Sequence, residues 1–160
     1  IKDEFFRFLN DLPMLKVLTI RGPNYKNNHR EVVNSKINQI ETLNLHGLSS
    51  GKIFLRCAPN IKKLYVKGAY HFQFEKLSSK NFKVILESLT KLEEFKLYGS
   101  LEIDDEVLEL ISRTKLRHII IEGHSFQMKE ICEKIKTANP KLIITKRSKS
   151  VENSKKAKHT

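Results

Sequence analysis

The sequence contains no tryptophan and only two cysteines among its 160 residues. Cys57 and Cys132 lie far apart, each inside an apolar stretch, so we expect two buried free thiols in a reducing compartment. The sequence also lacks an Asn-x-Ser/Thr glycosylation acceptor. These absences favour an intracellular location, cytoplasmic or nuclear, over a disulfide-stabilised secreted protein.

Long apolar runs and catalytic motifs are missing as well. No apolar run reaches the ~20 residues that a bilayer-spanning helix needs. The sequence has no His-Glu-x-x-His, no metal-spaced cysteine pair, no glycine-rich phosphate loop and no Gly-x-Ser-x-Gly elbow. The acidic residues 104–106 stand at a predicted helix start, where carboxylates satisfy free N–H groups, which favours a helix cap over a divalent cation. We therefore predict no membrane association, no enzymatic activity, no metal and no cofactor.

The net charge of +12 is unevenly distributed along the chain. Residues 1–80 hold 14 basic and 6 acidic residues, residues 81–145 hold 10 and 11, and residues 146–160 hold 6 and 1. The basic excess therefore lies in the N-terminal half and in a short C-terminal tail. Nucleic acid is a possible partner on this basis, because clustered cations attract phosphates without regard to base sequence.

One short pattern recurs five times and is the strongest signal in the sequence. It consists of an apolar residue, then two apolar residues at period two, then a glycine. The copies are LPMLKVLTIRG (12–22), INQIETLNLHG (37–47), APNIKKLYVKG (58–68), LTKLEEFKLYG (89–99) and RTKLRHIIIEG (113–123), with a truncated ANPKLIITKR (138–147) after them. Successive glycines are 25, 21, 31 and 24 residues apart. Three of these steps fall within the roughly 20–29 residues of leucine-rich repeats.

Each copy predicts a short strand, and the later segments between copies predict helices. Apolar residues two apart bury one face of a strand, and the glycine that follows permits a sharp departure of the chain. The apolar positions of the five copies are Leu15, Leu18, Ile20, Ile40, Leu43, Leu45, Ile61, Leu64, Val66, Leu92, Phe95, Leu97, Leu116, Ile119 and Ile121. Residues that precede apolar stretches with helical spacing are Ser78 or Ser79, Asp104 and Ser125.

We predict an α/β leucine-rich-repeat solenoid, in which parallel strands form a curved sheet with helices or loops on its convex side. Residues 1–11 are expected to form a helix that caps the array or ends a preceding repeat. Residues 12–145 form the repeat domain, and residues 146–160 form a basic, flexible tail. Residues 71–74 alternate and predict an extra short strand. Because the chain begins at Ile1 in helical sequence, we expect a fragment of a longer protein.

Two segments contain more specific residue patterns. The helix start after the fourth strand contains Ile103, Asp104, Asp105 and Leu108, and the third repeat is entered through CAPNIKKLYV (57–66). These segments resemble the Ile-Thr-Asp-x-x-Leu and Cys-Pro-x-Leu-x-x-Leu patterns of the repeats in F-box proteins. The resemblance extends over about residues 12–145. It implies substrate recognition for a ubiquitin ligase, with the ligase adaptor as a partner only if an F-box lies outside this sequence.

The residues that alternate with the buried ones line one exposed face of such a sheet. Tyr65 and Tyr98 take nearly equivalent positions on that face, with cations around them, and this composition is favoured in binding surfaces. The predicted binding residues of this concave surface are Arg21, Asn44, His46, Lys63, Tyr65, Lys67, Glu94, Lys96, Tyr98, His118 and Glu122.

The predicted function is non-catalytic protein–protein recognition through the concave surface. Two alternatives stay open. The aromatic and basic residues of segment 62–74 suit single-stranded RNA, whose bases stack on aromatic rings. A scaffold subunit that uses the convex side or one end of the array is also compatible with the sequence. The tail 146–160 predicts a nuclear-import signal, a nucleic-acid contact or a solvated extension.

Overall fold

The structure is a computed structural model that describes residues 3–21, 35–47, 54–68, 75–123 and 128–147. Its strands are β1 Val17–Arg21, β2 Thr42–His46, β3 Lys63–Lys67, β4 Glu75–Leu77, β5 Glu94–Leu101, β6 His118–Glu122 and β7 Ile143–Arg147. Its helices are α1 Asp3–Asn10, α2 Ser79–Ser88, α3 Asp105–Arg113 and α4 Met128–Ala138, and residues 54–57 are helical too. The predicted α/β class is confirmed, with a strand at each copy of the repeated pattern.

All seven strands are parallel and belong to one sheet. The strand order is β1-β2-β3-β5-β6-β7, and the short β4 pairs with the end of β5. Each repeated strand therefore lies beside the next repeated strand along the chain. Among the described residues β1 pairs only with β2 and β7 only with β6, so the sheet is open and not closed into a barrel.

The apolar positions of the repeats lie in register on one face of the sheet. The middle apolar residues of successive strands sit side by side, in the order Leu18, Leu43, Leu64, Phe95, Ile119 and Ile144. From β2 to β6 these residues are fully buried, whereas Leu18 of β1 is only partly buried. The helices cover this face, as the rings of Phe82 in α2 and Phe95 in β5 show with centroids 4.9 Å apart.

Two of the helices begin at the caps that the sequence predicts. The Asn81 N–H donates to the Ser78 Oγ over 3.4 Å at the start of α2, and the Val107 N–H donates to the Asp104 carboxylate over 3.0 Å at the start of α3. The predicted cap Ser125 lies outside the described residues. The helix α3 contacts both α2 and α4, so these helices follow the order of the strands.

A repeated backbone arrangement links successive strands of the array. The carbonyl before a strand accepts two hydrogen bonds, from the N–H groups of two consecutive residues at the start of the next strand. The accepting carbonyls are those of Lys16, Glu41, Lys62 and Glu93, and the donor–acceptor distances run from 2.8 to 3.1 Å. Equal backbone contacts at four successive steps hold the strands in the same register.

The glycines of the pattern have different roles. Gly47 follows β2 with φ of 96°, which supports the predicted sharp departure. At Gly123, after β6, a Cβ would lie 2.7 Å from the carbonyl oxygen of Gly99, so close packing excludes a side chain there. The prediction of a departure is wrong for Gly99, because β5 continues to Leu101 where β4 pairs with residues 99–101.

The predicted boundaries need one adjustment. The helix α1 falls within the expected helical residues 1–11. The strand β7 runs through Arg147, two residues past the expected end of the repeat domain, because all five of its residues pair with β6. Gly22, the extra strand expected at 71–74 and the rest of the tail lie outside the described residues.

Candidate binding surface on the sheet

Three rows of side chains cross the sheet on the side away from the helices, and we call them the open face. The first row is Val17, Thr42, Lys63, Glu94, His118 and Ile143; the middle row is Thr19, Asn44, Tyr65, Lys96, Ile120 and Thr145; the last row is Arg21, His46, Lys67, Tyr98, Glu122 and Arg147. All of these residues except Ile120 are exposed or partly exposed. The period-two pattern of the strands therefore produces a continuous, mostly polar surface.

A shallow pocket of about 580 Å³ lies over the middle and last rows. The predicted binding residues that line it are Arg21, Asn44, His46, Tyr65, Lys67, Glu94, Lys96, Tyr98 and Glu122. Lys63 and His118 belong to the first row and do not line the pocket. Lining residues that the site prediction left out include Thr19, Ile120 and Arg147. The structure thus gathers most of the predicted residues around one depression.

Tyr65 belongs to a chain of polar contacts, two of them hydrogen bonds, which we call the tyrosine network. Its hydroxyl donates to Glu94 Oε1 over 2.5 Å, while Glu94 Oε2 lies 3.6 Å from Nδ1 of His118. The other ring nitrogen of His118, Nε2, lies 2.8 Å from Thr145 Oγ1. Burial, together with the adjacent Glu94 carboxylate, raises the pKa of Tyr65 to about 12. Tyr65 is therefore a neutral hydroxyl held in place at physiological pH.

A second cluster joins β5, β6 and β7 through the carboxylate of Glu122. The Lys96 Nζ lies 2.8 Å from Glu122 Oε1, and a guanidinium nitrogen of Arg147 lies 3.5 Å from the same oxygen. Glu122 is only partly exposed, with 22% of its side chain accessible, so its interaction with the two cations is less screened by water than on an open surface. Arg147 was missed in the site prediction because the sequence placed it in the basic tail.

The β1–β3 half of the open face is basic. Arg21, Lys63 and Lys67 belong to it, and within the described ranges none of the three forms an ion pair. Lys63 stands beside Glu94 in register, but the carboxylate of Glu94 is directed into the tyrosine network. The Lys67 Nζ lies 5.3 Å from the centroid of the Tyr98 ring, a cation–π contact that connects this half to β5.

Candidate sites away from the open face have structural explanations. Hydrogen bonds lower the pKa of the Asp104 carboxyl, as expected for a helix cap. The largest effect comes from the backbone N–H of Val107 and the second largest from the Ser79 hydroxyl. The two cysteines are not joined in a disulfide; Cys57 is buried, and burial raises the pKa of the half-buried Cys132. Across the described ranges, no group of three or more His, Cys, Asp or Glu side chains is arranged to hold a metal ion.

The described helices are short, and none of them is long and apolar enough to cross a membrane. The longest, α4, has 11 residues.

In comparisons with known proteins, no protein-family model, no curated protein and no solved structure matches this chain.

Proposed function

We propose that this chain is a leucine-rich-repeat solenoid whose open face binds a segment of another protein without catalysing a reaction. The observation that carries the proposal is the open face itself, with three in-register rows and a pocket of about 580 Å³. Tyr65, Tyr98, Arg21 and Arg147 are among the residues that line that pocket. Tyrosine and arginine are enriched where proteins bind one another, which favours protein recognition.

The order of the strands supports a solenoid. Crossovers between neighbouring parallel strands are almost always right-handed, so a sheet whose strand order follows the chain has its connecting segments on one side. Packed helices stand roughly 8–10 Å apart, whereas strands stand only about 4.8 Å apart. A stack that has closely spaced strands on one side and widely spaced helices on the other must bend, with the strands on the inside of the bend. The open face is then the concave surface.

The role of the parent protein is a narrower proposal. The segments 57–66 and 103–108 resemble repeats of F-box proteins, and on that resemblance the chain is the substrate-recognition part of a ubiquitin ligase receptor. This assignment rests on sequence resemblance alone, because a fold can serve many functions. Its test is whether the full-length protein binds a ubiquitin ligase adaptor in a purified two-component mixture.

Blocking the pocket tests protein recognition directly. Random peptides displayed on phage are selected on the wild-type chain, and their affinities are then measured against Asn44→Trp, which fills the pocket from the middle row. The control is Lys80→Trp, which adds the same side chain at an exposed position of α2. We expect the pocket variant to lose at least about tenfold in affinity and the control to bind like the wild type. Selected peptides that bind both variants equally would contradict the proposal.

A further inference from the structure

The charges of the open face are divided unequally between its two halves. The strands β1–β3 present Arg21, Lys63 and Lys67, which form no ion pair within the part of the chain that the structure describes. Both carboxylates of the open face lie on β5 and β6, where Glu94 belongs to the tyrosine network and Glu122 contacts two cations. Within the described residues, the positive charge of the β1–β3 half is therefore not balanced by a carboxylate of the open face.

We propose that the β1–β3 half of the open face binds an acidic peptide segment, a proposal that rests on the protein-recognition function above. Arg21 and Lys67 lie in the last row, two strands apart, which separates their Cα atoms by about 10 Å. An extended run of Asp or Glu places carboxylates about 7 Å apart on each side of the chain, so neighbouring groups reach both cations.

The pocket provides the polar and apolar surroundings that an extended peptide needs. Asn44 lies in the middle row beside the two cations, and His46 lies between them in the last row. The buried side chain of Ile120, only 7% exposed, lines the same pocket further along the middle row and belongs to no part of the main core. Acidic side chains over β1–β3 are the complement of the cations on this surface.

The aromatic residues favour a peptide over single-stranded RNA. Bases of bound RNA stack on exposed aromatic rings. The ring of Tyr98 already has the Lys67 ammonium over it at 5.3 Å, and the Tyr65 hydroxyl is bonded to a carboxylate that repels phosphate. Among the described residues, the open face therefore offers cations for an anionic chain, and both of its tyrosines already have a polar partner.

The test compares three fluorescein-labelled probes of equal length: oligoglutamate, oligoglutamine and oligouridylate. Their affinities are measured for the wild type, for Arg21→Gln/Lys67→Gln, and for the control Arg56→Gln/Lys129→Gln. The control residues are exposed, lie in helical segments, form no described ion pair and remove the same two charges. Measurements at about physiological ionic strength limit the general attraction of the basic protein for anions. Circular dichroism confirms that all three proteins are equally folded.

We expect oligoglutamate to bind better than oligoglutamine, and the open-face double variant to weaken that binding at least about tenfold. The control should change it by less than about twofold. Equal losses in both double variants would attribute binding to net charge and overturn the proposal. Tighter binding of oligouridylate, with the same dependence on Arg21 and Lys67, would assign the surface to nucleic acid and overturn it as well.

The phage selection described above separates the two proposals. The selected peptides could bind Asn44→Trp weakly but contain few acidic residues and bind Arg21→Gln/Lys67→Gln as well as the wild type. That result would overturn the acidic-peptide proposal and leave the protein-recognition proposal intact. If the selected peptides bind Asn44→Trp as well as they bind the wild type, both the protein-recognition proposal and the acidic-peptide proposal are wrong. Acidic peptides sensitive to both variants are the expected result.

Discussion

The fold changes the acid–base chemistry of Tyr65 on the open face. Its hydroxyl donates to Glu94, and burial with this contact raises its pKa from 10.0 to about 12. The folded state therefore retains the phenolic proton at a pH where the unfolded chain has lost it. The stability gained in this way is fully present below pH 10 and disappears as the pH rises towards 12, because the unfolded state releases its proton first.

We predict that Tyr65→Phe reduces the loss of stability at alkaline pH. At neutral pH the variant should be less stable by about 1 kcal/mol, because Glu94 loses a donor. Urea unfolding at pH values below 10 and close to 12 measures both effects. Glu94→Gln keeps an acceptor while removing the charge, so its pH dependence should fall between those of the wild type and Tyr65→Phe. Parallel pH profiles for the wild type and Tyr65→Phe would contradict the assignment.

For two residues of the open face, the sequence did not predict the burial or the contacts that the structure shows. Alternation correctly places Ile120 on the open face, but its side chain is only 7% exposed, because burial depends on neighbours that the sequence does not reveal. Composition placed Arg147 in a solvated tail, whereas pairing with β6 brings it into the last row and next to Glu122. Both differences arise from contacts between strands.

At the scale of elements, α1 belongs to the folded unit. Phe6 is fully buried, and its ring centroid lies 5.2 Å from that of Phe54 in the helical residues 54–57. The Gln39 side-chain amide donates to the carbonyl of Leu9 over 2.6 Å, near the end of the helix. These contacts attach α1 to the segments around β2 and β3, so that Phe6 and Leu9 belong to the apolar core.

We predict that Phe6→Ala lowers the free energy of unfolding by about 3–5 kcal/mol, the usual cost of removing a buried phenylalanine. The matched control is Phe8→Ala in the same helix, where the ring is 57% exposed. That control should cost less than about 1 kcal/mol, because most of its surface already contacts water. Both values come from urea denaturation under identical conditions. Equal costs for the two variants would show that α1 does not pack on the core as described.

The elements also show which parts of the fold are encoded locally. All strands of the repeated pattern were predicted, because period-two burial and a following glycine are properties of short segments. The cap Asp104 was predicted from its local sequence as well, and Ser78 was one of two candidates, with Ser79, for the other cap. The pairing of β4 with residues 99–101 was not predicted, because residues 75–77 contain no copy of the repeated pattern that would mark them as a strand of the array. The ion pairs of the open face likewise depend on side-chain conformations set by neighbouring strands.

At the scale of the whole molecule, stability should vary across the sheet from its centre to its edges. The central strands β3 and β5 have repeated strands on both sides, and their residues Leu64 and Phe95 are fully buried. Among the described residues the edge strand β1 has one neighbour, and its apolar residues Leu18 and Ile20 are only partly buried. In a repeat array, each unit is stabilised by its own contacts and by its immediate neighbours.

We therefore predict a gradient of amide hydrogen exchange along the sheet. Peptides covering β3 and β5 should exchange most slowly, those covering β1 should exchange fastest, and those covering β7 should be intermediate or fast, because an edge strand opens without breaking contacts on a second side. Exchange followed by mass spectrometry under native conditions measures this order. Phe6→Ala should increase exchange in β1 and β2 more than in β6, because its contacts lie at that end of the array. Uniform protection across all strands would instead indicate a single cooperative core, which is incompatible with stability built from neighbouring repeats.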